Sequence, residues 1–249
     1  TSYLMKELSQ NGLIHNDIKT INENEFEDYT KRAEEKNGVI VYKNSSKIPL
    51  NKNILRTVKK PFSSQGGIKL ISGNIGKGIV KISSVLVKHQ KICEQAEVFE
   101  NPEEFNEAFK KGTLNKNCVV VIRNQGPQSN GMPELHTLNP ILSVIQNLGY
   151  KISLITDGRM SGASGSVLTV VHITPETTQG GIISKIQNSD IIEIDAQKGI
   201  MNVKVSKDIL NKRQENILDT ENTSGYGREL FKLNRGHVSS SETGAVSIS

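Results

Sequence analysis

Two short glycine-rich stretches hold the residues of this chain best suited to chemistry. They are Thr156-Asp157-Gly158-Arg159-Met160-Ser161-Gly162-Ala163-Ser164-Gly165 and, shortly upstream, Gly131-Met132-Pro133-Glu134-Leu135-His136. Glycine-rich loops leave backbone amides and small side chains open to close approach by a ligand. Glu134 ends a long Gly/Pro stretch just ahead of a helical pattern. Its carboxylate there suits a hard divalent cation such as Mg²⁺, which takes oxygen ligands, and equally suits the positive end of the helix dipole. Ser161 has the chemistry of a nucleophile, of a base when deprotonated, or of a plain turn residue. The G-x-S-x-G elbow is absent and no histidine partner is identifiable by spacing, so a hydrolase triad is poorly supported. Asp157 and Arg159 either pair across the turn, or Arg159 meets an anionic ligand. A third loop, Ser72-Gly73-Asn74-Ile75-Gly76-Lys77-Gly78, lacks the G-K-[ST] ending of a P-loop. It reads as a backbone nest for a carboxylate or phosphate, or as a plain turn.

The elements that must position these loops follow from periodicity. Residues 1 to about 36 predict helix, turn, helix, with Leu4, Leu8, Leu13 and Ile14 apolar and the run 24–36 charged and exposed. The segment 37–65 is a polar connector with a strand candidate at 39–42, punctuated by Pro49 and Pro61. From Gly66 the pattern changes to short strands with glycine turns: 68–71 and 79–85 alternate as strands. Asn101-Pro102-Glu103-Glu104 is a helix start, closed by Lys110, Lys111 and Gly112. The apolar run 118–122 is a buried strand candidate. Residues 136–148 form a helix with Leu138, Ile141, Leu142, Ile145 and Leu148 on one face. Strands follow at 151–155 and 167–173, and a hairpin pairs 191–195 with 201–205 around Gln197-Lys198-Gly199. The small polar residues 239–249 read as a frayed tail.

Composition narrows the class. The chain has 249 residues, 35% hydrophobic and 23% charged, as in an ordinary globular protein. No apolar run approaches a membrane span. The net charge of +5 is scattered, without Trp or a basic stripe interleaved with aromatics, so neither nucleic acid nor membrane is expected as a partner. Cys93 and Cys118 form no C-x-x-C and read as free buried thiols, and the five histidines form no pair with metal-ligand spacing. The amino end reads as the middle of an amphipathic helix, so the chain is expected to be the tail of something longer.

The motifs taken together resemble the iron–sulfur dehydratases, the family that includes dihydroxyacid and 6-phosphogluconate dehydratases. The resemblance rests on Leu70-Ile71-Ser72-Gly73-Asn74-Ile75-Gly76, residues 131–136, residues 154–165, His172-Ile173-Thr174-Pro175-Glu176, and residues 190–195. Three details resemble the phosphogluconate branch: Met160 with Ala163-Ser164, the order Pro133-Glu134-Leu135-His136, and Gly227-Arg228-Glu229-Leu230-Phe231 followed by Ser239-Ser240-Ser241-Glu242. The match is to the carboxyl-terminal part of such an enzyme.

The resemblance implies a cytoplasmic hydro-lyase that dehydrates 6-phospho-D-gluconate in the Entner–Doudoroff route. Its alternatives are a dihydroxyacid or unphosphorylated sugar-acid dehydratase and a non-catalytic binding module. It implies a swivelling β/β/α barrel-like carboxyl-terminal domain over 51–249, preceded over 1–50 by the trailing helices and linker of an α/β amino-terminal domain. By the same resemblance Ser161 matches the base for the alpha proton and Glu134 a Mg²⁺ ligand, while Asn74, Lys77, Arg159 and Ser161 are substrate-binding candidates. Arg159 and Lys77 are the candidates for the phosphate. The iron–sulfur cluster, of 4Fe–4S type, would be the Lewis acid that accepts the leaving hydroxyl. Its cysteines and the remaining Mg²⁺ ligands are expected in an amino-terminal domain that this chain lacks. The chain alone is therefore expected to be inactive, and the complete protein to be a homodimer.

Overall fold

The computed structural model describes residues 1–21, 26–64, 66–161, 165–216, 225 and 229–247. They fall into two compact units, Thr1–Gln65 and Gly66–Ser249.

The first unit holds helix α1, Ser2–Gln10, a 3-10 turn at Phe26–Thr30, and an antiparallel hairpin of β1, Lys31–Lys36, and β2, Val39–Asn44. The second of the two expected helices is thus replaced by a 3-10 turn and a strand, with residues 22–25 at its expected start outside the described residues. The cause is local. Lys31–Lys36 carries a single apolar residue, Ala33, so a helix there has no face to bury. Asn37 and Gly38 take φ of 52° and 79°, the left-handed pair that a two-residue hairpin turn requires.

The second unit is a closed eight-stranded barrel with helices outside it. Its strands are β3 (Ile68–Gly73), β4 (Gly76–Lys81), β5 (Lys91–Phe99), β6 (Cys118–Ile122), β7 (Ile152–Thr156), β8 (Leu168–Thr174), β9 (Ile191–Asp195) and β10 (Ile200–Val203). The order around the barrel is β10-β3-β4-β8-β7-β6-β5-β9. Strands β5 to β8 are mutually parallel, whereas β3, β4 and β9 join by antiparallel pairs. The mixed α/β barrel expected from Gly66 onward is therefore present.

Two hydrophobic layers explain why. Every residue of β6 and β7 is buried, as in parallel strands covered on both faces. Val119, Val121 and Ile155 point into the barrel with Ile71, Val80, Ile92, Ile194 and Met201. Cys118, Val120, Ile122, Ile152 and Leu154 point outward against Phe105, Leu138, Leu142 and Ile145. Those last four belong to helices α2, Pro102–Lys110, and α4, Leu138–Asn147, the crossovers between parallel strands. Helix α2 is capped as its sequence predicts: the Asn101 side chain accepts the Glu104 N–H at 2.9 Å. A one-turn helix α3, Pro127–Asn130, stands between β6 and α4. Leu148, expected on the apolar face of α4, is exposed just beyond its end.

Several boundaries differ from expectation. The loop over 72–78 is a tight hairpin: Gly73 pairs with Gly76, and only Asn74 and Ile75 turn. Strand β5 has no counterpart in the expected elements, because Ile92 and Ala96 alone are buried among Lys91, Glu94, Gln95 and Glu97. It also places Cys93 on the exposed face, contrary to the expectation of two buried thiols; Cys118 is buried, and burial pushes its thiol up to about 12. The tail is folded rather than frayed. A 3-10 turn at Ser241–Thr243 is closed by Ser239 N–H to Val246 O at 2.9 Å, and Glu242 reaches Lys77 on the barrel. Short helices α5, Lys207–Lys212, and α6, Lys232–His237, lie between β10 and this turn. No helix among the described residues is long and apolar enough to cross a membrane.

The barrel closes at a thin seam. Strands β10 and β3 share one parallel pair, Ile200 with Ser72. Asn74 extends it: its side-chain amide donates to Val203 O at 2.8 Å and accepts from Val203 N–H at 2.8 Å, while its own N–H donates to Asn202 Oδ1 at 2.7 Å. Asn74→Ala leaves two backbone groups of buried Val203 unpaired, and an expected loss of about 1–3 kcal/mol follows. Chemical denaturation checks it; an unchanged midpoint would show that the seam closes without the clasp.

Candidate active site

The loops with chemistry leave the carboxyl ends of the parallel strands β6, β7 and β8, where open and closed parallel sheets generally carry their sites. One buried carboxylate ties these three ends together. Asp157, fully buried after β7, accepts the Gln125 N–H beyond β6 at 2.9 Å. Its other oxygen accepts the Thr177 N–H at 3.0 Å and the Thr177 hydroxyl at 2.6 Å, beyond β8. Burial pushes the Asp157 carboxyl up, and the bonds from Thr177 and Gln125 pull it back. Glu176 is a second buried tie, accepting Gln128 N–H at 3.1 Å and Ser129 N–H at 3.2 Å. Its carboxyl is likewise raised, first by burial and more weakly by the Asp157 charge. Gly126 is required beside it, since a Cβ there would collide with the Glu176 side chain.

The path so fixed brings three of the expected residues together. Glu134 and Arg159 form a parallel β-bridge, reinforced by Leu135 N–H to Arg159 O at 3.2 Å. Glu134 Oε1 accepts the Ser161 N–H at 2.7 Å and the His136 N–H at 2.9 Å. Its Oε2 accepts Arg159 Nη1 at 3.0 Å, and Arg159 Nε donates to Met132 O at 2.7 Å. Of the two open readings of Asp157 and Arg159, pairing across the turn is not what forms: Asp157 bonds Gln125 and Thr177, and Arg159 bonds Glu134 and Met132. Glu134, Arg159 and Ser161 are exposed at the rim. Residues 162–164, and Gly227 and Arg228 of the tail, lie outside the described residues.

One cavity adjoins this cluster at Ser161, and a second shares Ile79 and His172 with the first. The first, of about 210 Å³, is lined by Ser161 and Met160 with Ile79, Lys81, Val167, Val171 and His172. The other, of about 360 Å³, is lined by Ser72, Lys77, Ile79, His172, Thr174, Ser241 and Glu242, among others. Lys77 thus stands in the second cavity, its ammonium 2.6 Å from Glu242. Asn74 stands apart from both, its amide engaged at the barrel seam.

His172 borders both cavities and was present in the sequence reading only as part of a motif. It occupies a β-bulge: between Lys77/Thr174 and Ile79/Val171 the β8 side has one residue more, and His172 takes a φ of 57°. Its N–H donates to Gly158 O at 2.9 Å, fastening the bulge to the Asp157 loop. The signal was a phase slip. Buried Leu168 and Val170 are two apart, but the next buried residue, Ile173, is three on. Burial, and then the Arg159 charge, hold its imidazole below the usual histidine range.

The residues present fit one implied group in part and the other not at all. Among the described residues Glu134 accepts three hydrogen bonds, fewer than its two oxygens can take, and it is exposed, so it fits as one oxygen ligand of a hard cation. No group of three or more His, Cys, Asp or Glu that could hold a metal occurs among the described residues. An iron–sulfur cluster finds no set of ligands in this chain: of its two cysteines, Cys118 is buried with its thiol raised and Cys93 is exposed on another strand.

Comparison with known proteins agrees with the motifs. Residues 53–245 match the family model for the carboxyl-terminal region of dihydroxy-acid/6-phosphogluconate dehydratases. The chain is 38% identical over 246 residues to phosphogluconate dehydratase of Pseudomonas aeruginosa, covering 99% of this chain and 40% of that protein. It is 40% identical over 246 residues to phosphogluconate dehydratase of Escherichia coli K12, covering 98% and 41%. It is 34% identical over 247 residues to dihydroxy-acid dehydratase of Prochlorococcus marinus, covering 98% and 41%. The chain spans about 40% of the length of these relatives.

Two outcomes test the scaffold. In Asp157→Asn the amide has one acceptor oxygen where three donors converge, and stability is expected to fall by about 1–3 kcal/mol; a variant as stable as the parent would remove Asp157 as the tie. For His172 the folded state binds protons less readily than the unfolded chain, whose histidine titrates near ~6.5. Its contribution is therefore level above that value and becomes destabilising as pH falls below it. His172→Asn, which tolerates the left-handed backbone, is expected to lose less stability than the parent between pH 7 and 5 in denaturant titrations. Parallel pH profiles would refute this.

Proposed function

This chain belongs to the dihydroxy-acid/6-phosphogluconate dehydratase family, and we propose that it is the carboxyl-terminal part of a hydro-lyase acting on 6-phospho-D-gluconate. The product is 2-dehydro-3-deoxy-6-phospho-D-gluconate, in the Entner–Doudoroff route. The observation that carries this reading is the rim cluster in which one carboxylate, Glu134, holds both Arg159 and the backbone of Ser161. The phosphogluconate dehydratases of comparable identity support the substrate. The dihydroxy-acid dehydratase relative favours a second reading, the same chemistry on an unphosphorylated acid.

The reaction removes the hydrogen on carbon 2 as a proton and breaks the bond from carbon 3 to its hydroxyl oxygen. Water departs, and the enol that remains tautomerises to the 2-keto acid. Ser161, in its deprotonated form, is the proposed acceptor of the carbon 2 proton; one proton delivered to the departing hydroxyl makes it water, so substrate gives enol plus water and the serine is returned to its starting form. Glu134 fixes the backbone of Ser161 and so the start of its side chain. Arg159 places a cation two residues from Ser161, available to the carboxylate of the substrate. Met160, Ile79, Val167 and Val171 form apolar wall around the Ser161 cavity, and exclusion of water there strengthens every charge interaction inside. Mg²⁺, when bound through Glu134, supplies positive charge where negative charge grows on the substrate carboxylate.

In this reading the barrel is the swivelling β/β/α domain of the enzyme, and residues 1–50 are the end of its α/β amino-terminal domain. The iron–sulfur cluster and the other Mg²⁺ ligands belong to the rest of the protein. This chain alone does not turn over, and the complete protein is a cytoplasmic homodimer.

Two measurements on the complete enzyme test the reading. It is expected to process phosphogluconate faster than gluconate, and equal rates would sink the substrate assignment. Ser161→Ala is expected to slow turnover by about 10²-fold or more, with matching loss of carbon 2 hydrogen exchange into deuterated water. Undiminished exchange would remove Ser161 as the base.

A further inference from the structure

The two cavities are neighbours on one strand. Lys77 and Ile79 of β4 line the larger, Ile79 and Lys81 the smaller, and His172 stands on the border of both. Alternate residues of a strand are about 7 Å apart, close to the span from carbon 2 to the phosphorus of an extended six-carbon sugar acid phosphate. A ligand with its carbon 2 at Ser161 and its chain running along β4 therefore delivers its far end beside Lys77.

We propose that the cavity of about 360 Å³ is the subsite for the phosphate monoester of the substrate, and that Glu242 is a built-in anion which this phosphate displaces from Lys77. The inference rests on the reading of the protein as a dehydratase of a phosphorylated sugar acid, and goes beyond it in assigning where the phosphate sits and what it replaces.

The chemistry of the lining fits. A phosphate monoester carries nearly two negative charges and three strong acceptor oxygens, and a lysine ammonium binds it as a point charge. Ser72 and Ser241 place hydroxyl donors in the same cavity. Among the described residues the Ser241 hydroxyl reaches only the weakly accepting sulfur of Met132, at 3.8 Å. The Lys77–Glu242 pair shows that the position already takes an anion. Both side chains are at least half exposed, at 66% and 50%, so the pair is weak and easily exchanged. A dianion competes well with a single carboxylate for one ammonium.

The tail is built for such an exchange. Its turn is held by its own bonds, from Ser239 N–H to Val246 O at 2.9 Å and from Ala245 N–H to Ser240 O at 3.0 Å. Glu242 can therefore rotate away from Lys77 while Ser241 stays over the cavity. The tail then acts as a specificity element: without a phosphate, the carboxylate occupies Lys77, and an unphosphorylated acid gains nothing from the cavity.

The complete enzyme tests this through the ratio of kcat/KM for 6-phosphogluconate to that for gluconate. Lys77→Met is expected to lower the ratio about 10- to 100-fold, as for a lost charge-assisted contact, chiefly through KM for the phosphorylated acid. Lys77→Arg is expected to keep most of it, and Ser241→Ala to lower it by a smaller factor. Glu242→Gln is expected to tighten competitive inhibition by inorganic phosphate severalfold. A parent enzyme that prefers phosphogluconate, with an unchanged ratio in Lys77→Met, would overturn the subsite and leave the proposed function standing. A parent with no such preference would overturn the proposed function. An unchanged inhibition constant in Glu242→Gln would overturn the exchange.

Discussion

The site depends on a carboxylate that never meets water. Asp157 sits at the end of β7 with no exposure, and its oxygens take donors from the segments beyond β6 and β8. An ionised group in such a place survives only when its lone pairs are filled, so the three segments are bound to converge on it. That convergence sets the course of everything downstream: Gln125 starts the loop that ends at Glu134, and Asp157 starts the one that carries Arg159 and Ser161. Glu176 repeats the device one layer out, with Gln128 and Ser129 as donors. Burial, and more weakly the Asp157 charge, push the Glu176 carboxyl up, and the five backbone and side-chain donors around the two carboxylates offset the cost of burying them.

The barrel supplies the rigidity that such ties need. At the centre of its parallel half, β6 and β7 are sandwiched between the interior and the crossover helices α2 and α4, so the strands that lead to Gln125 and Asp157 are buried on both faces. The antiparallel half has an outer face that is largely uncovered, with Ile68 and Leu70 exposed on β3. The cavities lie along that uncovered face, where β4 meets β8. The bulge at His172 is the place where the two halves fall out of register. A bulge re-aims the side chain at its centre, and here it turns a histidine toward both cavities instead of into the barrel.

How much of this was legible follows from what each residue reports about its neighbours. Strands β6 and β7 were plain because a strand buried on both faces must be apolar throughout. Helix α2 was plain because Asn101, Pro102 and the following acids are local signals of a helix start. The second expected helix failed because charge without an apolar partner face says little about backbone conformation, whereas Asn37-Gly38 encodes its turn directly. Strand β5 was hidden because its interior side is small and its exterior charged. Within the site, Glu134, Arg159 and Ser161 were legible as residue types in glycine-rich loops, but not their mutual bonds, which depend on register set by Asp157. The roles of Asn74 and of the tail were illegible, since both act through partners more than a hundred residues away in sequence.

The same geometry says why the proposed chemistry needs more than this chain. An alcohol removes a proton from carbon only where water is excluded and positive charge is concentrated. Ser161 has an apolar wall on one side and lies exposed at the rim on the other. Glu134 offers one oxygen ligand, already shared with Arg159 and two backbone donors, against the six or more that a hard cation takes. The described residues thus supply one wall, with the proposed base, a cation and an exposed carboxylate set in it. On the proposed reading, the ligands and the exclusion of water that this wall lacks come from the rest of the protein.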